Sequence, residues 1–554
     1  MKQKIKNLII SSLAYAHKDG NLPSYSLPEI EIHEPKVEVH GDFSTNIAMK
    51  MASICKMSPR KIAEIIVSQI KDDEDLIEKV EIAGPGFINF FININCWHYV
   101  LKYIYEEDKM YGSSNLGKGK KVQLEFVSAN PTGPLHVGHG RGAVYGDTIA
   151  RLLAFCGFEV KKEYYINDSG RQIKILGLSV FLRYKELFGE KIDFPKDCYH
   201  GKYTVDIAEE IKRKKNKSLL KLAEDEAIDF CAHEAIDILL YSIKSDLKEF
   251  GVEFDTWFSE QSLYDSNKVD LVIKDFQKKQ FIYEKDGALW FKTTSFGDEK
   301  DRVVVRQNSM TTYFASDMAY HQDKYKRGFD RIIDVWGADH HGYIPRIVAS
   351  IKASGYDEEQ FDVILVQLVN LLRAGKPVAM STRTGEFVTL KDVVNEVGSD
   401  AARFLFLTRD HESHLDFDLE LAKKKTNDNP VYYVQYVHAR IASIAVKAKE
   451  GGLASSNWDN NAILLLKEPE EVTLIKSISR FPEVIKLSAE LMEPHRLTFY
   501  LMNLASEFHS YYNKHRILTN DTLLAKGRMY LADAVKKVIK SGLTLLGVSA
   551  PEKM

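Results

Sequence analysis

Between Lys120 and about residue 372, short apolar runs of strand length alternate with amphipathic stretches of helix length. "KKVQLEFVSA" reads as a buried strand, "GRGAVYGDTIARLLAFCGF" as a helix and "EVKKEYYIND" as a second strand. The grammar returns in "RIIDVWGA", "YIPRIVASIKASG" and "DVILVQLVNLL", which read as strand, helix and strand. Strand–loop–helix units of this kind build an α/β, doubly wound parallel sheet that holds ligands at its strand carboxyl ends. Residues 180–300 are charged and carry mostly helical patterns, so they are predicted to be an insertion between the two halves of the sheet.

The ends of the chain differ in texture. Residues 1–110 mix helical patterns with one β-like run, "GFINFFININ", which predicts a small α+β domain. A junction is expected over 396–424, and residues 425–554 are helical throughout, with breaks at Gly451–Gly452 and around Pro469, as in a helical bundle. That leaves 111–395 for the Rossmann-like domain with its insertion. The opening "MKQKIKNLIISSLAYAHKDG" imitates a secretory signal. Ser11 and Ser12 interrupt its apolar run, however, and Ile5, Leu8, Ile9 and Leu13 share one helical face, so an amphipathic helix is expected. No apolar run approaches the ~20 residues of a membrane span.

Composition narrows the class without deciding it. The 554 residues are 45% hydrophobic and 28% charged, too long for one core, and the net charge of −3 excludes a uniformly basic nucleic-acid binder. A local basic groove remains open, although "KGKK", "KRKKNK" and "KKK" read equally well as solvated faces. Five cysteines with no CxxC pair argue for a reducing, cytoplasmic setting and against structural zinc.

The chemistry concentrates in "NPTGPLHVGHGRG" (130–142), which sets His136 and His139 among Pro and Gly residues between a strand and a helix. Backbone N–H groups at a helix N-terminus favour anions. Gly138 and Gly140 would let a flat ring or phosphate approach, and the two imidazoles would supply donors. Taken alone, an HxGH is equally a turn whose histidines cap the helix. A metal site is disfavoured, because no further ligand lies near with the right spacing.

The neighbours add weight. "EFVSANPTGPLHVGHGRG" resembles the HIGH-like first signature of class I aminoacyl-tRNA synthetases, in the form found in the arginyl-tRNA synthetase family. "HGDFSTNIAMKMA", "EYYINDSGRQI", "TYFASDMAYH", "VWGADHHGYIPR", "VGSDAARFLFLTR", "NPVYYVQYVHARI" and "LLGVSAPEKM" resemble successive parts of the same family, in the same order. The resemblance implies a class I Rossmann-like catalytic domain, an N-terminal tRNA-binding domain and a C-terminal anticodon-binding bundle. It also implies ligation of L-arginine to tRNA(Arg) through an arginyl-adenylate, with ATP and Mg²⁺, in a monomer.

A guanidinium needs carboxylates in its plane. The resemblance places Glu125, Asp317 and Tyr313 on it, and Ser128, Asn130 and His136 on the α-amino and carboxylate end. Asp339 and His340 of "GADHHG" would meet the ribose, and His136, Gly138 and His139 the phosphates. The second signature, KMSKS-like, stands here as "GKPVAMSTRTG": Met380 and Ser381 fit, while Ala379 and Thr382 replace the lysines. Pyrophosphate must then meet another cation, Arg383 first and Lys376 second, with Lys118, Lys120 and Lys121 in reserve. In the N-terminal domain Phe87 and Asn89 could stack and pair with a splayed tRNA base, or be core residues of a strand. Two other readings stand beside this one. A small-molecule nucleotidyltransferase would need neither end domain, and a catalytically dead RNA-binding relative would fit the altered "AMSTR" loop.

Overall fold

The computed structural model describes residues 1–23, 26–378, 388–453 and 458–554, which divide into two compact units. The first comprises Met1–Asp108, Ala448–Ser479 and Ser510–Ala534; the second comprises Lys109–Lys447, Arg480–His509 and Val535–Met554. The C-terminal helices are thus shared between the units.

In the first unit, helix Lys2–Lys18 buries Ile5, Ile9 and Leu13, as its 3.6-residue rhythm predicts. The sheet is three-stranded and antiparallel, order β1-β3-β2, with β1 Phe43–Thr45, β2 Ile77–Ala83 and β3 Phe87–Ile92. Only β3 was legible in the sequence. β3 is the central strand and buries Ile88, Phe90 and Ile92, whereas the outer strands are too short or too polar to show a rhythm. The buried His98 Nε2 meets Leu466 O at 2.8 Å, tying the N-terminal residues to a C-terminal segment of the same unit.

The second unit holds a five-stranded, all-parallel sheet, order β11-β10-β4-β5-β6. Its strands are β4 Lys121–Glu125, β5 Glu159–Ile166, β6 Thr256–Ser259, β10 Arg331–Gly337 and β11 Phe361–Val366. The direction of winding changes between β4 and β10, and a doubly wound sheet opens a crevice at that point.

Two expectations fail here. Residues 180–300 are mostly helical, as expected, but they are not a single insertion between the halves of the sheet. Helices Arg171–Glu186, Lys202–Lys215 and Glu224–Glu249 share an apolar core, but β6 then returns to the central sheet. A separate antiparallel sheet follows, of β7 Ile282–Lys285, β8 Ala288–Phe291 and β9 Arg302–Val305. Four residues, "TWFS", are too few for a periodicity to reveal β6. The apolar run "DVILVQLVNLL" also divides. It leaves the central sheet after Val366 and resumes as β12 Val369–Arg373, which pairs with β13 Lys376–Pro377 and β14 Leu415–Asp418. The strand before the altered second signature therefore belongs to this smaller sheet. Buried Arg141 fixes the change of sheet, donating to Gln367 O (2.9 Å) and Ser413 O (2.8 Å).

Candidate active site

β4 ends at Glu125, and the chain turns through Val127 and Ser128, both at positive φ (69° and 40°). A β-branched residue in the left-handed region is strained, and such strain gathers at functional sites. The Ser128 hydroxyl donates to Glu125 Oε1 (2.9 Å) and accepts from Tyr165 N–H (3.1 Å), so the turn holds the carboxylate in place.

Helix Val137–Phe155 begins from His136. His136 Nδ1 accepts from Gly138 N–H (3.1 Å), His139 Nδ1 accepts from His136 N–H (3.2 Å), and the rings stack 3.6 Å apart. Burial lowers both imidazoles, His139 to about 3 with His136 contributing, so both are neutral near pH 7. With each Nδ1 accepting, each proton sits on Nε2. The histidines therefore cap the helix with one nitrogen and keep an uncharged N–H donor on the other, an arrangement suited to an anion. Gly138 has a further reason here, because a Cβ would stand 2.9 Å from His136 Cε1.

A cavity of about 430 Å³ lies over the carboxyl ends of β4, β5 and β10, and Glu125, Glu260, Tyr313, Asp317, Trp336 and Tyr343 are among the residues lining it. Helix Tyr313–Lys326 brings Tyr313 and Asp317 there, one turn apart. Burial raises Asp317, partly offset by the Tyr343 hydroxyl that donates to it. Burial pushes Glu260 from 4.5 to about 7. Its Oε1 accepts from Ser316 (2.7 Å), while Oε2, like the Tyr165 hydroxyl, is buried with no hydrogen-bond partner among the described residues.

Beneath the cavity, fully buried Lys324 donates to Glu125 Oε2 and Asp334 Oδ1, both at 2.6 Å. His321 bridges Asp317 O (2.8 Å) and Asp334 Oδ2 (3.1 Å). Burial raises Glu125 despite Lys324. Burial alone would raise Asp334 too, but Lys324 and His321 outweigh it and hold its carboxyl below the usual range.

Of the residues expected at the site, Glu125, Ser128, Tyr313, Asp317 and His340 line this cavity. Asn130 does not. It is exposed, and its amide donates to Gln172 (2.9 Å). Asp339 is exposed on the short 3₁₀ turn after β10 and is not in the lining; His340 on the same turn is exposed too but touches the cavity rim. Lys376 is exposed on β13, and Met380, Ser381 and Arg383 lie outside the described residues. Sequence reasoning missed Lys324, Asp334, Glu260 and Tyr343. Two of these carried a signal: Asp334 is a lone carboxylate in an apolar strand, and Lys324 follows Asp317 by seven residues, on the same helical face.

A second cavity, of about 400 Å³, lies in the first unit and is lined by Pro35, Lys36, Ser44, Pro85, Phe87 and Asn89, among others. Phe87 is 41% exposed there, and the buried Asn89 Oδ1 accepts from Ser44 (2.7 Å).

The parallel sheet, the strand-to-helix HxGH loop and the acidic cavity at the switch point define a class I aminoacyl-tRNA synthetase. Residues 101–436 match the model described as tRNA synthetases class I (R), catalytic domain; residues 3–92 match the arginyl tRNA synthetase N terminal domain; and residues 434–554 match the DALR anticodon binding domain. The arginine–tRNA ligase of Desulfosudis oleivorans is 56% identical over 556 residues, and that of Citrifermentans bemidjiense 54% over 555, each covering 100% of both chains. The solved Thermus thermophilus arginyl-tRNA synthetase shares the fold, with a TM-score of 0.74, 21% identity and 100% of both chains covered. The chain belongs to the arginyl-tRNA synthetase family.

Proposed function

We propose that the chain joins L-arginine to tRNA(Arg) in two steps, ATP entering as its Mg²⁺ complex. The arginine carboxylate attacks the α-phosphorus, the bond to the bridging oxygen breaks, and pyrophosphate leaves. The terminal ribose hydroxyl of tRNA then takes the acyl group and AMP departs. A carboxylate is already a nucleophile, so the first step needs positioning and charge neutralisation rather than a base.

The observation that carries this reading is the acidic cavity. Glu125, Asp317 and Glu260 reach it from three separate segments, and one buried oxygen of Glu260 has no hydrogen-bond partner among the described residues, a place a cation would fill. Asp317, Glu125 and Tyr313 take the guanidinium, and Ser128 the α-amino end, with Asn130 and His136 beside it. His136, His139 and Gly138 receive the phosphates, with Met380 and Ser381 of the second signature. His340 and Asp339 face the ribose. Arg383, then Lys376, are the cations proposed for pyrophosphate. Phe87 and Asn89 take a base at the tRNA elbow, and the C-terminal helices face the anticodon. Among the described residues no helix is long and apolar enough to cross a membrane, and a cytoplasmic monomer is the form proposed.

The test is ATP–pyrophosphate exchange with and without tRNA. Arginine-dependent exchange that tRNA supports is expected. Exchange with another amino acid while arginine is ignored overturns the reading, and no exchange at all favours the catalytically dead relative.

A further inference from the structure

Lys324 touches no solvent and does not line the cavity, yet it binds two carboxylates that do, Glu125 and Asp334. Its ammonium stands 2.6 Å from Glu125 Oε2 and 2.6 Å from Asp334 Oδ1, with the Tyr320 ring 4.4 Å away. The titratable groups close to Glu125 are Lys324 and Tyr320 on the helix, Asp334 on β10, and Glu163 and Tyr165 on β5. Among the described residues Lys324 is the cation paired directly with Glu125; Arg327 pairs with Glu163 and His321 with Asp334. Removing Lys324 would leave Glu125 buried beside Asp334 and Glu163, and a carboxylate so placed takes up a proton.

We propose that Lys324 is a positioning residue for arginine selection: clamped between Glu125 and Asp334, it favours the ionised form of the Glu125 carboxylate and fixes it at the cavity wall. The proposal rests on the assignment of Glu125 to the guanidinium. A protonated Glu125 offers the guanidinium one acceptor fewer and no charge, so Lys324 acts on arginine without touching it. Arginine recognition then depends on a cation placed behind the wall as well as on the carboxylates in front of it.

The experiment is a double-variant cycle of Glu125→Gln, Lys324→Met and both together, reading kcat/KM for arginine, KM for ATP and the pH profile from 6 to 9. Lys324→Met should lose about tenfold or more in arginine kcat/KM at pH 7, with KM for ATP within about twofold of the parent. The loss should shrink as pH rises, because hydroxide restores the Glu125 charge. The double variant should be no worse than Glu125→Gln alone and should lack this pH dependence. A Lys324→Met loss that is flat with pH, or that multiplies with Glu125→Gln, overturns the proposal and leaves Lys324 as a fold element. If Glu125→Gln leaves arginine kcat/KM unchanged, the arginine pocket itself is wrong. Should Lys324→Met alone not fold, the double variant is compared with Glu125→Gln: equal values support the proposal, and a further tenfold loss overturns it.

Discussion

Two cavities of this chain are nearly equal in volume, about 430 and 400 Å³, and differ in chemistry. The first is lined by Glu125, Glu260, Asp317, Asp334 and His321, backed by Lys324. Among the described residues the second has no acidic residue in its lining; Lys36, two histidines, prolines, an exposed phenylalanine and a buried amide form its wall. A site for a charged ligand must hold buried charges before the ligand arrives, and each of those charges needs a partner or shifts its proton. A site for a neutral, flat ligand needs a ring face and a few polar edges, which a sheet and its turns supply at little cost. The acidic cavity therefore rests on a network spread over β4, β5, β10 and helix Tyr313–Lys326, whereas the second is built from one short sheet and the loops beside it.

The sharpest break in this comparison is Asp317→Asn. It keeps the shape of the acidic cavity and deletes one charge. Losing the charge partner of a buried cation costs ~2–5 kcal/mol, so arginine kcat/KM should fall by about a hundredfold or more. KM for ATP and for tRNA should stay near the parent values. An unchanged arginine kcat/KM would remove Asp317 from the guanidinium and leave the acidic cavity without its assigned ligand.

Glu260→Gln tests what the buried charges cost the fold. Glu260 is 2% exposed, and its carboxyl is pushed from 4.5 to about 7. The folded state thus holds this proton more tightly than the unfolded state does. Stability falls as pH rises from about 4.5 to about 7 and stays lower above that. The shift corresponds to at most about 3 kcal/mol. Glutamine does not titrate, so the variant should resist urea better than the parent at pH 8 and no better at pH 4.5, while arginine kcat/KM drops. Equal urea midpoints at both pH values would show that Glu260 carries no buried charge in the free protein.

The same contrast explains what could be read from the sequence. The βαβ grammar and the HxGH loop were legible because each is a local pattern, whereas Tyr313 and Asp317 were placed by the resemblance. β6 was not, because four residues carry no rhythm and its place is decided by pairing with β5. The split of the apolar run after Val366 was hidden for a related reason: both halves are buried, so only tertiary pairing separates them. Glu260 and Tyr343 come to the cavity from distant segments, and charge partners that meet only in the fold leave no spacing to read. Asn130 and Asp339 were placed by resemblance, and both are exposed and outside the lining of the acidic cavity.

The smallest expected effect belongs to the second cavity. Phe87→Ala removes an exposed ring without touching a charge. Base–aromatic stacking is worth ~1–3 kcal/mol, so KM for tRNA should rise by about tenfold while exchange at saturating tRNA keeps its arginine KM. Because no phosphate contact is lost, the slope of log affinity against log salt should match the parent. Lys36→Ala, from the wall of the same cavity, supplies the contrast. A lysine that meets a phosphate weakens binding only a few-fold but flattens that slope by about one unit. If Phe87→Ala flattens the slope and Lys36→Ala does not, the second cavity binds backbone rather than base. If neither variant changes tRNA KM, Phe87 and Asn89 are residues of the sheet and nothing more.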